Sequence, residues 1–235
     1  MHSILSWILY FVSQTRLPFP KSSITTKFPF SLLHCDIWGP HKIPTHIGFH
    51  YFLTIVDDFS RCTWIFLMHH KLETQLLLTN FIQFVKNQFQ INARTIRVDN
   101  GTKFILLRSF LQNKGIELQN SCIHTPQQNG VVERKHWHIL NVVCSLMFQS
   151  NVSLEFWGEC VLTAVYFINR SPTPLLSNKS PFEVLYNRPP SLAHLWVFGC
   201  ECYATNVHPQ QKFDHRASIY VFIGYPWPKG YKFFY

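Results

Sequence analysis

What most restricts the fold of this chain is the order in which its hydrophobic period changes between residues 31 and 150. Apolar runs at 31–37, 49–57 and 62–68 are separated by turn signals at Gly39-Pro40, Gly48 and Asp57-Asp58, a pattern of three consecutive strands in a meander. From Lys71 to Gln90 the period lengthens to that of a helix, with Leu72, Leu76, Phe81, Phe84, Val85 and Phe89 on one broad stripe. A short strand at 95–99, a helix over 109–114 stopped by Gly115, a strand at 116–122 and a helix over 131–150 follow. The order predicts an α/β domain.

Acidic residues punctuate this scaffold at its ends. Asp36 closes the apolar run Ser31-Leu-Leu-His-Cys-Asp36, Asp99 closes Thr95-Ile-Arg-Val-Asp99, and Glu133 sits just inside the last helix, after the amide-rich turn of Thr125-Pro-Gln-Gln-Asn-Gly-Val-Val-Glu-Arg-Lys135. Three carboxylates on three rigid elements can hold divalent cations, because magnesium takes oxygen ligands and completes its shell with water and phosphate oxygens. Two such ions serve both oxygens of an in-line phosphoryl displacement. Asp57 and Asp58 are read instead as turn chemistry before Phe59-Ser60. The histidines at 41, 46, 50, 69 and 70 have no metal spacing and are expected at the surface.

The helix over 131–150 predicts its own sidedness. Val132, His136, Ile139, Val143 and Leu146 repeat at helical spacing, with Glu133, Trp137, Leu140, Cys144 and Met147 as an adjoining row, and both rows are expected to face inward. Arg134, Lys135, His138, Asn141 and Ser145 then fall outside and form a positive strip beside Glu133. Such a strip is most often a solvated face. Beside a candidate metal carboxylate it reads as a phosphate contact. In the preceding loop Gly130 allows backbone conformations closed to other residues, and Gln127, Gln128 and Asn129 offer donors and acceptors to a nucleic-acid backbone or base edge. The bland reading, a solvated turn that caps the helix, is compatible with this one.

Collinear stretches resemble a known family: Gln14-Thr-Arg-Leu-Pro-Phe-Pro20, Asp36-Ile-Trp-Gly-Pro40, Tyr51-Phe-Leu-Thr-Ile-Val-Asp-Asp-Phe-Ser-Arg61, Val98-Asp-Asn-Gly101, Thr125 to Lys135, Phe156-Trp-Gly-Glu159 and Val197-Phe-Gly-Cys200. On these the chain is similar to the integrase region of copia-type LTR retrotransposons, in the retroviral integrase superfamily with its Asp, Asp, Glu triad. The resemblance implies a ribonuclease-H-like mixed five-stranded sheet with flanking helices. It implies that Asp36, Asp99 and Glu133 are catalytic and hold two Mg²⁺ or Mn²⁺ ions. The expected partner is DNA, as retroelement ends and target, in a 3′-end processing and strand-transfer reaction that forms no covalent protein–DNA intermediate. Two other readings stand beside it: a catalytically silent nucleic-acid-binding remnant, and a metal-dependent nuclease of the same fold. Lys103 stands where the family commonly has an acid and could pair with Asp99 or grip a phosphate. Trp137 stands where a basic residue is frequent.

The rest of the chain sets boundaries. The net charge of +9 favours a polyanionic partner. Seven cysteines, an odd number lying mostly in apolar runs, suggest a reducing compartment. No zinc site is expected, because Cys200-Glu-Cys202 lacks a second ligand pair at zinc spacing. The first twelve residues are too short to span a membrane and lack a basic start and a cleavage site. Residues 1–24 therefore read as a divergent amino-terminal segment, and the protein as one acting in the nucleus or a cytoplasmic particle, with no membrane partner and room for a homo-oligomer. Beyond Arg170 the prolines at 172, 174, 181, 189 and 190 mark a connector. A catalytic core at 25–190 and a small SH3-like β segment at 191–235 follow, the latter built from Trp196-Val-Phe198, Tyr220-Val-Phe-Ile223 and Tyr231-Lys-Phe-Phe-Tyr235 and cut short by the chain's end.

Overall fold

The meander expected from the first three apolar runs is present: β1 (Leu32–Trp38), β2 (Tyr51–Asp57) and β3 (Thr63–Met68) pair antiparallel in turn. The protein is described by a computed structural model over residues 26–99, 108–120, 129–205, 216–226 and 230–235. After β3, a 3₁₀ turn at Lys71–Glu73 leads into helix α1 (Thr74–Phe89). Then come β4 (Thr95–Val98), α2 (Arg108–Asn113) and β5 (Glu117–Asn120). β4 joins β1 in parallel and β5 joins β4, giving a mixed five-stranded sheet in the order β3-β2-β1-β4-β5. Helix α3 (Gly130–Ser150) and helix α4 (Trp157–Arg170) complete the unit.

Alternation along the strands decides which helix covers which face. Leu33, Cys35, Leu53, Ile55, Ile96 and Val98 point to one side and are buried with Leu78, Phe81 and Val85 of α1. Phe52 points to the other, where Ile139, Val143 and Leu146 of α3 meet Trp157, Cys160, Val161 and Ala164 of α4. The stripe on α1 is narrower than its sequence suggests. Leu72 and Leu76 are exposed, and the inward row is Thr74, Leu78, Phe81 and Val85. Leu72 belongs to the 3₁₀ turn, whose tighter winding takes it out of the helical stripe.

The proline-rich connector contains a helix that its composition argues against. Pro181 opens α5 (Pro181–Tyr186) at the first turn, where a missing N–H costs nothing, and Ser180 caps it by accepting from Glu183 N at 3.1 Å. The last elements form a second sheet, β6 (Glu201–Thr205), β7 (Ala217–Gly224) and β8 (Lys232–Phe234), in that order and antiparallel. The first of these strands begins after Trp196-Val-Phe198, which lies in irregular chain; Phe198 is buried in the core while Trp196 stacks on Tyr231 at 4.7 Å.

Helix α4 stands between the two sheets. Gly158 lets it approach closely, since a Cβ there would lie 2.7 Å from Thr45 Cγ2 and 3.0 Å from Leu67 Cδ1. On its other side Tyr166 stacks on Tyr225 at 4.4 Å, and Phe156, just before the helix, meets Phe234 edge-on at 4.7 Å. The buried Glu159 receives Lys232 Nζ of β8 at 2.8 Å through Oε1, and its Oε2 faces His46 Nδ1 at 3.5 Å. His46 is therefore a half-buried partner of Glu159 and not the surface residue its spacing suggests. No helix among the described residues is long and apolar enough to cross a membrane.

Candidate active site

Two of the three candidate carboxylates are placed side by side by the β1–β4 ladder. In the parallel register Cys35 faces Val98, so Asp36 and Asp99 are the next residues on each strand, at one level at the carboxyl ends. Neighbouring strands run about 5 Å apart. Cys35 and Val98 both point into the α1 side of the core; alternation sends Asp36, and Asp99 beyond the end of β4, to the α3 side. Both are half-buried. Asp36 Oδ1 accepts from Ile37 N at 2.8 Å.

Helix α3 crosses above this pair. Its inward row is the first of the two expected: Val132, His136, Ile139, Val143 and Leu146 are buried. The adjoining row does not face inward. Glu133, Trp137 and Cys144 are exposed, and only Leu140 and Met147 are half-buried. With α4 packed beside α3, one row suffices to fill the contact with the sheet, and the next turns to solvent. Glu133 thus stands about one turn before His136 and looks out from the helix into solvent.

His136 is the residue that the sequence undervalues. Its Nε2 lies 2.9 Å from Thr54 Oγ1, its Nδ1 lies 3.7 Å from Asp36 Oδ2, and Phe52 meets its ring edge-on. Thr54 is directly opposite Asp36 in the β1–β2 register. Burial pushes the imidazole down to about 4, so it is neutral at neutral pH. In the tautomer that suits both neighbours, Thr54 donates to Nε2 and Nδ1–H points at the carboxylate. The available signal was a polar residue in an apolar row on each element: His136 among Val132, Ile139 and Val143, and Thr54 inside Tyr51-Phe-Leu-Thr-Ile-Val56.

The donor set is all oxygen and suits a hard divalent ion. Among the described residues, however, no three His, Cys, Asp or Glu side chains lie close enough together to hold one ion. The ladder sets Asp36 and Asp99 on adjacent strand ends, and Glu133 is exposed in the first turn of α3; the three do not close on a common point.

The candidate nucleic-acid contacts separate into groups. Lys103, Gln127 and Gln128 lie outside the described residues. Asn129 is 3% exposed, its side chain does not cap α3, and its Oδ1 has no hydrogen-bond partner. Gly130 is buried because the Arg134 side chain folds back over it, and a Cβ at Gly130 would lie 3.0 Å from Arg134 Nη1. Arg134 and His138 are exposed as expected. Lys135 leaves the outer strip: it is half-buried toward the β2–β3 turn, where burial and the Arg61 charge bring its ammonium down to about 8. Partial burial and Lys135 also lower His138.

Asp57 and Asp58 build that turn. Asp57 accepts from Phe30 N at 2.8 Å and from Ser60 N and Oγ at 2.9 and 2.6 Å. Asp58 accepts from Thr26 N at 3.0 Å and meets His34 Nε2 at 3.1 Å and Arg61 Nη1 at 3.0 Å. Burial opposes ionisation of Asp58, but the His34 and Thr26 hydrogen bonds and the Arg61 charge prevail and bring it to about 2.

Comparison with known proteins agrees with this architecture. Residues 27–126 match the integrase core domain. The chain is 35% identical over 226 residues to the Retrovirus-related Pol polyprotein from transposon RE2 of Arabidopsis thaliana, which covers 95% of this chain and 16% of that protein. It is 35% identical over 211 residues to the RE1 polyprotein of the same plant, covering 89% of this chain and 14% of that protein. The TNT 1-94 polyprotein of Nicotiana tabacum is 33% identical over 218 residues, covering 92% and 16%. The chain therefore spans about one-sixth of the length of these relatives. Among solved structures, the catalytic core domain of BIV integrase has a TM-score of 0.50 at 17% identity, covering 67% of this chain and 94% of that one, a likeness of fold.

Proposed function

The chain is a relative of the integrase region of copia-type retrotransposon Pol polyproteins, and from that premise we propose that it is a metal-dependent polynucleotidyl transferase that trims DNA ends and joins them to target DNA. The observation that supports this most directly is that the β1–β4 register carries Asp36 and Asp99 on adjacent strand ends, with Glu133 in the first turn of the helix whose His136 faces Asp36.

In the first step of this reading, a water oxygen attacks a phosphorus near the end of the donor strand, and the 3′-oxygen of the preceding nucleotide leaves as a hydroxyl. In the second, that 3′-hydroxyl attacks a target phosphodiester and displaces the target's own 3′-oxygen. Asp36, Asp99 and Glu133 are the residues that would hold divalent ions, which would supply Lewis acidity to both the attacking and the leaving oxygen. The protein's share is orientation. His136, fixed by Thr54, holds the Asp36 carboxylate in one rotamer, and along the outer edge, where a phosphate backbone would lie, Arg134 offers positive charge and the neutral His138 a hydrogen-bonding ring. On this reading the DNA-working core is 25–190, the second sheet belongs to an SH3-like segment at 191–235, and the protein acts in the nucleus or in the element's particle.

A strand-transfer assay with purified protein, Mn²⁺ and a labelled donor duplex tests the proposal. Joined products support it. Cut but unjoined products would reassign the protein as a nuclease, and binding without products would leave a silent DNA-binding relative. Glu133→Gln keeps the shape and removes the charge, so the variant is expected to fold and to lose product formation by at least about a hundredfold; parental activity in that variant rejects the site.

A further inference from the structure

Resting on the DNA reading above, we propose that Arg97 seats the phosphate next to the reacting one, so that the site takes hold of two consecutive phosphates of one strand. In the parallel ladder Arg97 is paired with His34 on one side and Gln119 on the other, and it lies two residues before Asp99, as His34 lies two before Asp36. Alternation puts all four on the face away from α1. Gln119 Oε1 accepts from Arg97 Nε at 3.3 Å and from Nη2 at 2.9 Å, which fixes the guanidinium on the sheet. Helix α3 packs over β1 and β2, and Arg97 and Gln119 stay half-exposed beside it.

Among the described residues no anion answers this charge, since none of their ion pairs includes Arg97. His34 is 1% exposed, its Nε2 meets Asp58 at 3.1 Å, and burial lowers its pKa so that it is neutral at neutral pH. Glu117, one row back on β5, is exposed and accepts from Thr95 Oγ1 at 3.3 Å. A half-buried cation without a counter-ion costs the fold stability, and a bound phosphate would offset that cost. The spacing fits such a ligand. Two residues along a strand span about 6.6 Å, close to the distance between consecutive phosphates on one DNA strand. A phosphate reacting at the Asp36 and Asp99 end therefore brings its neighbour over Arg97, whose Nη1–Nη2 end is turned from Gln119 and can give it paired hydrogen bonds.

The test maps the main position at which the full chain cuts a labelled duplex in Mn²⁺, then places one uncharged methylphosphonate at the phosphate on either side of it, or several phosphates away as a control. The parent is expected to lose roughly ten- to a hundredfold in kcat/KM, mainly through KM, at one of the two neighbours and little at the control. Arg97→Ala should handle the unmodified duplex as poorly as the parent handles that modified one, and lose nothing more when the methylphosphonate is added. Its affinity for the unmodified duplex in Ca²⁺ should fall less steeply with salt, by about 0.9 in the log–log slope. Arg97→Lys, which keeps the charge, should retain part of the sensitivity. The parent's own response needs no variant, so a misfolded Arg97→Ala leaves the test intact. An Arg97→Ala protein weakened by one factor on every duplex assigns the residue to strand pairing alone and overturns the seat. The two readings fail separately: a parent that cuts but ignores both neighbours removes the seat and leaves the active site, whereas a parent that does not cut removes both.

Discussion

Replacing Lys232 by Met tests whether the ion pair between β8 and α4 holds the second sheet in place. The Glu159 side chain is 1% exposed, and Oε1 receives Lys232 at 2.8 Å while Oε2 lies 3.5 Å from His46 without a hydrogen bond. Removing the ammonium leaves a buried carboxylate with no hydrogen-bonded cation, which ordinarily costs about 3–5 kcal/mol. Lys232 is 41% exposed, so water screens part of the pair. About 2–3 kcal/mol is then expected. For a chain of this size that is a fall in Tm of roughly 4–12 °C. Glu159→Gln removes the charge that needs a partner, and combining it with Lys232→Met should cost much less than the two losses added, with a coupling of about 1–2 kcal/mol. Thermal melting of the four proteins at neutral pH measures this. A Lys232→Met protein melting within a degree of the parent, or fully additive losses, would show that the contact contributes nothing net and that aromatic packing alone seats the sheet.

Other expectations follow from neighbouring geometry. Arg134→Ala should reduce the slope of log affinity against log salt by about 0.9 in duplex binding, while Lys135→Ala, turned toward Arg61, should change it by well under half of that; equal effects would place Lys135 back on the DNA face. His136→Ala should lower kcat through the loosened Asp36 and leave DNA affinity near the parental value, whereas His136→Asn, which can still donate to the carboxylate, should restore part of the rate; equally poor kcat in both variants would deny the positioning role. Asp58 ionises near 2 in the fold against an ordinary 3.8, so its stabilisation is full above about pH 4 and is lost as the pH falls through 2. Asp58→Asn should therefore cost about 2 kcal/mol at neutral pH, and the difference from the parent should shrink toward zero between pH 4 and 2 in urea titrations. A difference that does not change with pH would mean that the carboxylate's charge is not what matters.

The strands up to residue 150 were legible as short apolar runs between turn signals, and the long helices because each buries one face, which the period of the sequence reports directly. Asp36 and Asp99 were legible as strand-ending acids, and their neighbourhood needed only the parallel pairing to become a site. Helix α4 was not legible. Its buried set includes Trp157, Glu159, Cys160, Val161, Thr163, Ala164, Val165 and Ile168, so no polar stripe marks a solvent side. Helix α5 was hidden by Pro181, whose helix-breaking and helix-starting roles look alike until the cap at Ser180 is seen. The outward turn of Glu133 and Trp137 depends on where α4 sits against α3, and the sideways turn of Lys135 depends on the β2–β3 turn. Both are tertiary facts. The polar link between Glu159, His46 and Lys232 joins residues 113 and 73 positions apart, beyond the reach of any local pattern.

The double-sided burial of α4 also bears on how parts of this fold can be exchanged. A helix with a solvent face can serve as the boundary of a module, since whatever follows it can be replaced without uncovering it. Here the same helix gives one side to Leu67 and Phe52 of the five-stranded sheet and the other to Ile223 of the second sheet and Tyr225 just beyond it. Detaching the second sheet bares an apolar flank and a buried carboxylate at once. The two sheets should therefore unfold as one cooperative unit, and the second sheet should transplant between relatives only together with the helix that it covers.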